Sequence, residues 1–205
     1  MFVLTIDQVR SRDGEDLVPE LLASLDGVPV LVAFERTVGD EVQGVVADAA
    51  AVLTVVRRAL ASGHWHVGLG IGEGELGEEG PRSGTGPAFL AAREAVESAK
   101  RTRTSLAVRA GTSTGAAARA AADAEAALRL VAALTARRTV AQARVVALLD
   151  DGMTGKEVAE TLGVSAQAVS KQRIAAAYDE ERSMMPVLVR LLEQADAPTR
   201  LKATA

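Results

Sequence analysis

An α+β chain is predicted, with a sheet-forming first half and an all-helical second half. Three observations predict it. Short runs of Val, Leu and Ile alternate with helix-spaced segments through the first half. After Thr135 the pattern is helical only, in short pieces divided by caps and turns. Hydrophobic residues make up 48% of the 205, which is enough for a real core.

Met1 to Ile6 is an apolar run that reads as a buried strand ending at Asp7. Leu17, Leu21, Leu22 and Leu25 keep helical spacing. Val28 to Phe34 has the Val and Leu content of a central strand. Val38-Gly39-Asp40-Glu41 is a turn into Val42 to Val46, so these two strands form a hairpin. Asp48 is placed to cap a helix over Ala49 to Ala61, with Val52, Val55, Val56 and Leu60 on one face. Trp65 to Ile71 is a strand, and Gly72 to Gly86 is a glycine-rich acidic loop. Pro87 to Lys100 is a helix and Thr104 to Val108 the last strand. This β-α-β-β-α-β-α-β order predicts a ferredoxin-like antiparallel sheet with helices on one face. Gly111-Thr-Ser-Thr-Gly115 is turn material, and Ala116 to Leu134 predicts a long helix linking the halves. The expected division lies within that helix, giving a first domain over 1–125 and a helical domain over 126–205.

Composition removes several function classes. Aromatics are 2%, so stacking platforms for single-stranded nucleic acid are not expected. The net charge of −4 confines nucleic-acid binding to a local patch. There is no Cys, which excludes disulfides and Cys-based zinc sites and fits a reducing cytoplasm. The strand-like start has no basic lead, and no run is long enough to span a bilayer, so a cytoplasmic protein without membrane contact is expected.

The strongest motif is Met153 to Ala176, MTGKEVAETLGVSAQAVSKQRIAA. Thr154 and Glu157 form a capping box, and Val158, Ala159 and Leu162 an apolar face. Gly163 permits a left-handed turn, and Ser165 caps the next helix. The small Ala159, the Gly four positions later and Val169 six beyond that make the pattern of a helix-turn-helix; Gln172 departs from it, since an apolar residue is usual there. Arg137 to Leu149 supplies the supporting helix. Such a fold lays its second helix in the major groove of double-stranded DNA. The residues expected at DNA are Thr154, Lys156, Ser165, Gln167, Ser170, Lys171 and Arg173. Between Arg137 and Ala175, six Lys and Arg stand against four Asp and Glu, a local excess of two positive charges. A three-helix bundle that binds only protein is the other reading. The apolar segment Met184 to Leu192 either pairs two chains, which suits a palindromic site, or packs internally.

Asp7 after the first strand and Asp40 in the hairpin fall at one end of the predicted sheet, where two carboxylates can hold Mg²⁺. "LTID", "TVGDE" and "VGLGIGEGE" resemble the core of class III nucleotide cyclases and GGDEF diguanylate cyclases. That resemblance implies Mg²⁺ with a bound nucleotide on Asp7 and Asp40, and places Arg93 where the cyclases carry a phosphate-facing Arg. Phe89 stands where they carry an Asn, which removes a hydrogen-bonding group from the reaction. Nearly the whole chain is similar to the SatD family, through Gly39-Asp40-Glu41 with Gln43, and through Gly86-Pro-Ala-Phe89, Ala92-Arg93, Ala95 and Ala99-Lys100 ahead of a helix-turn-helix. Each residue also has a plain reading: Asp40 forms a turn, Asp7 caps the segment after its strand, and Arg93 pairs along its own helix. His64 and His66 share a strand face, as a two-His metal site or a solvated edge. The loop after Gly70 lacks Walker spacing, and its glutamates repel phosphate.

The sequence therefore predicts a homodimeric, DNA-binding transcriptional regulator. Its cyclase-like half is expected to be inactive and to serve as a nucleotide sensor or a dimerisation platform. The alternative is a metal-dependent nucleotide cyclase or nucleotidyl transferase using Asp7 and Asp40.

Overall fold

The structure is a computed structural model that describes residues 1–10, 14–77, 80–112 and 115–197. It is α+β, with a five-stranded mixed sheet and, among the described residues, eight α-helices. The strands are β1 (Phe2–Gln8), β2 (Val30–Arg36), β3 (Glu41–Val46), β4 (Trp65–Ile71) and β5 (Leu106–Ala110). The helices are α1 (Val18–Ser24), α2 (Ala49–Ala61), α3 (Pro87–Ala99), α4 (Gly115–Thr135), α5 (Val140–Asp150), α6 (Gly155–Leu162), α7 (Ala166–Ala175) and α8 (Tyr178–Asp196). The sheet order is β2-β3-β1-β4-β5. β1 runs antiparallel to β3 and β4, and β2 antiparallel to β3.

Two expectations about the sheet are corrected. It is not wholly antiparallel: β4 and β5 run parallel, because α3 returns the chain across the sheet between them. Nor do the helices keep to one face. Phe2, Leu4, Ile6, Val67, Leu69 and Leu106 pack with α1, α2, α4 and α8. Val3 and Val45, on the opposite face, pack with Ala88, Phe89 and Ala92 of α3. A strand buried on both faces has no polar alternation to show, which is why β1 reads as a continuous apolar run.

Two strand starts also move. Pro29 has no N–H for a ladder, and β2 begins at Val30 rather than Val28. Ser105 takes a left-handed φ of 52° in the turn after α3, and β5 begins at Leu106 rather than Thr104. The expected turn 111–115 lies partly outside the described residues.

The sheet edge at β5 is closed by α4. The Val108 N–H donates to Glu125 Oε2 at 2.6 Å, and Arg129 Nε donates to the Leu106 carbonyl at 2.9 Å. Glu125 also pairs with Arg109 at 2.7 Å and with Arg129 at 2.9 Å. Side chains thereby satisfy strand groups that would otherwise invite another strand.

The expected division at 125/126 falls inside α4. Ala120, Ala121, Ala124, Leu128 and Val131 of that helix are all buried in the large cluster. α8 joins the same cluster through Leu188, Leu192 and Ala195, and it runs unbroken through Pro186. Its apolar side is therefore covered within the chain. A second cluster belongs to α5, α6 and α7: Val145, Val146, Leu149, Val158, Ala159 and Val169, closed by Ala176 and Tyr178.

Charged groups join the two clusters. Glu181, at the start of α8, is 1% exposed. It accepts from Arg57 Nε of α2 at 2.7 Å and from Arg138 Nη2, just past α4, at 2.5 Å. Arg138 Nε also donates to the Ala176 carbonyl at 3.0 Å, and Arg57 pairs with Asp150 of α5. Burial works against the charge on Arg57, but Glu181 and Asp150 outweigh it and its pKa is raised.

Candidate functional site

The α5–α7 segment is held by its caps. Thr139 and Gln142 form a capping box on α5, and Thr154 and Glu157 form one on α6. The backbone and hydroxyl of Thr154 hold the Glu157 carboxyl below its ordinary pKa. α6 ends at Gly163 in the left-handed region, φ 65°, where a Cβ would be strained. Ser165 Oγ then accepts from the Ala168 N–H at 3.1 Å and starts α7. Val169 of α7 is 2% exposed against Val158 and Ala159 of α6. The angle between α6 and α7 is thus set by residues that the sequence already shows.

With Val169 inside, the opposite side of α7 faces outward. Gln167, Ser170, Lys171 and Ile174 lie at i, i+3, i+4 and i+7, a stripe about 100° wide on a helix of 3.6 residues per turn. All four are exposed. A shallow hollow of about 700 Å³ runs along them. Lys171 makes no salt bridge among the described residues.

The other expected contacts are placed differently. Thr154 uses its hydroxyl on Glu157, at 2.8 Å to Oε2. Lys156 is well exposed, with Glu160 at 3.9 Å. Arg173 is not on the outward stripe. It lies about 120° away round the helix, forms a bidentate pair with Asp179 at 3.0 and 2.5 Å, and stands 5.2 Å from the Tyr178 ring centre. Sequence reasoning does not single out that partner, although the step of six residues from Gln167 already places Arg173 off the stripe. Nor does it find Ile174, which is on the stripe, because an apolar residue carries no charge signal.

The Arg173 pair has a pH consequence. The hydrogen bond from Arg173 holds the Asp179 carboxyl below its ordinary value, and the same bond raises the pKa of Arg173. A depressed carboxylate stabilises the fold above its unfolded pKa, and that contribution is lost as pH falls through the lower folded value. Carboxyl NMR on Arg173→Ala is expected to show the Asp179 midpoint moving up; an unmoved midpoint counts against the pair.

The sheet end holds the remaining candidates. Asp7 stands opposite Glu41 in the β1–β3 register, so Asp7 and Asp40 fall at the same end of the sheet. Their surroundings differ. Asp7 pairs with Lys100 Nζ of α3 at 3.0 Å, and Lys100 also holds Glu97 at 2.8 Å. Burial opposes the Lys100 charge, yet Glu97 and Asp7 raise its pKa overall. Asp40 instead borders a cavity of about 280 Å³ with Gln8, Glu15, Asp16 and Arg36, which Asp7 does not line. Arg93 is exposed on the solvent side of α3. Phe89 is 1% exposed in the core beneath that helix. Gln43 is buried as well, and its amide donates to Thr5 Oγ1 at 3.0 Å.

His66 stands opposite Asp7 on β4, and burial lowers its pKa despite that carboxylate; His64 is exposed. Among the described residues no group of three or more His, Asp or Glu is placed to hold a metal ion. No described helix is long and apolar enough to cross a membrane.

No protein-family model matches the chain, and neither a curated protein nor a solved structure matches it.

Proposed function

We propose that the chain is a transcriptional regulator that binds double-stranded DNA through α7, acting in the cytoplasm. In this reading α5–α7 form a helix-turn-helix domain. The sheet with its helices is a ferredoxin-like, nucleotide-cyclase-like platform without catalysis. One observation carries the proposal: the outward stripe of α7 presents to solvent Gln167, Ser170 and Lys171, which makes no salt bridge among the described residues, while caps and Val169 fix the helix beneath. Gln suits adenine and Lys suits guanine in the major groove, while Ser165 and Lys156 are within the range of residue types that hold phosphates. The expected homodimer stays part of the proposal, although the α8 face assigned to it is covered within the chain. The pairing of Asp7 with Lys100 and the burial of Phe89 give the cyclase-type alternative no support.

The test is gel-shift titration of the full chain with duplex fragments from its own promoter region. Lys171→Ala is expected to weaken binding by about 1–3 kcal/mol. Arg173→Ala is expected to act through the packing of α7 rather than through a lost base contact. Unchanged binding by a folded Lys171→Ala protein would remove α7 as the reader. Binding to proteins but to no duplex would leave the three helices as an adaptor.

A further inference from the structure

Ile174 is 73% exposed, the most open of the large apolar side chains on α5–α7 apart from Val140. A lone exposed isoleucine needs no explanation. This one closes a stripe whose other members are hydrogen-bonding or cationic, and it lines the same hollow as Gln167, Ser170 and Lys171. It sits one helical turn beyond Ser170 and Lys171, on their side. The span from Gln167 to Ile174 is about 10 Å at the helical rise, close to three base-pair steps. A duplex lying along the stripe from Gln167 would bring a base edge to Ile174 as well.

The chemistry narrows that edge. Of the four bases only thymine offers an apolar group in the major groove, its 5-methyl. Against any other edge the Ile174 side chain would cover polar atoms without bonding them. Lys171 on the same stripe makes no salt bridge among the described residues, which suits an anionic duplex. We propose that Ile174 is a specificity-determining residue of α7 that packs on thymine 5-methyl groups. This rests on the DNA-binding reading above.

The test starts with selection of duplexes from a random pool by the full chain. Each thymine of the enriched site is then replaced in turn by deoxyuridine, which deletes the methyl and nothing else. At least one position is expected to lose about fourfold in affinity, the factor that one buried CH₂ group corresponds to. Ile174→Ala is expected to bind thymine and deoxyuridine alike at that position, and Ile174→Val to keep the preference. Equal affinity of the wild-type protein for both bases everywhere overturns the inference. So does an undiminished preference in Ile174→Ala, or a change in sedimenting mass of that variant without DNA, which assigns the side chain to a second copy. If no duplex is enriched, the DNA-binding reading fails first and takes this inference with it.

Discussion

Gly70→Ala is expected to lower the melting temperature by about 10 °C. A Cβ there would lie 2.1 Å from the Ala88 carbonyl oxygen and 2.4 Å from the Ala92 nitrogen. Both are backbone atoms of α3, so no side-chain rotation relieves the clash. The helix has to lift from β4, which opens the cluster of Val3, Val45, Phe89 and Ala92. Overpacking ordinarily costs about 1–3 kcal/mol, and a rigid obstacle puts this case at or above the top of that range. For a chain of this size each kcal/mol is worth about 2–4 °C. Gly68 is equally tight, with a Cβ 2.2 Å from the Val96 nitrogen. Gly155→Ala is the control: nothing lies within 4 Å, and the position is helical. That variant is expected to be neutral or slightly more stable. Differential scanning calorimetry separates the two, and similar melting points for both would mean that α3 does not rest on the β4 backbone.

The second large effect centres on Glu181. Glu181→Ala is expected to cost about 3–5 kcal/mol, because it leaves the buried Arg138 with no acid partner among the described residues and Arg57 with Asp150 alone. Arg138 is the more exposed to this loss of balance, since its side chain is only 10% accessible. From α8 the carboxylate reaches both α2 and the segment after α4. Its removal is therefore expected to speed amide exchange along 140–176 more than along β1 and β4. Urea titration reads the stability, and exchange mass spectrometry reads where it is lost. The Glu181→Leu, Arg138→Met double variant should lose less than the two single losses added together, as coupled sites do. A single loss below about 1 kcal/mol would show the carboxylate to be a bystander.

Glycine placement shows what is readable in the sequence and what is not. The period-two glycines of β4, Gly68 and Gly70, stand against the α3 backbone at Ala88, Ala92 and Val96, so helix and strand meet backbone to backbone. The sequence contains both patterns, but only the fold puts them together. The same segments carry part of the cyclase resemblance, and close packing explains their glycines and alanines without a ligand. Asp7 is a parallel case. Its place after the first strand is legible, and its Lys100 partner 93 positions later is not. Arg173 differs: the helical period alone places it off the outward stripe of α7, so that much of its position was already legible.

The sequence by itself determined the order of elements, the hairpin at Gly39 and Asp40, and the whole α6–turn–α7 unit with its caps. Those features depend on neighbours within a few residues, where hydrogen-bonding reach and φ preference act directly. Only the tertiary structure decided that α3 covers the second face of the sheet, that α4 and α8 share one core, and that Glu181 is buried between two guanidinium groups. Such choices compare burial among distant segments of similar hydrophobicity. A chain whose helices are mostly Ala, Val and Leu carries no local mark of which partner each will take.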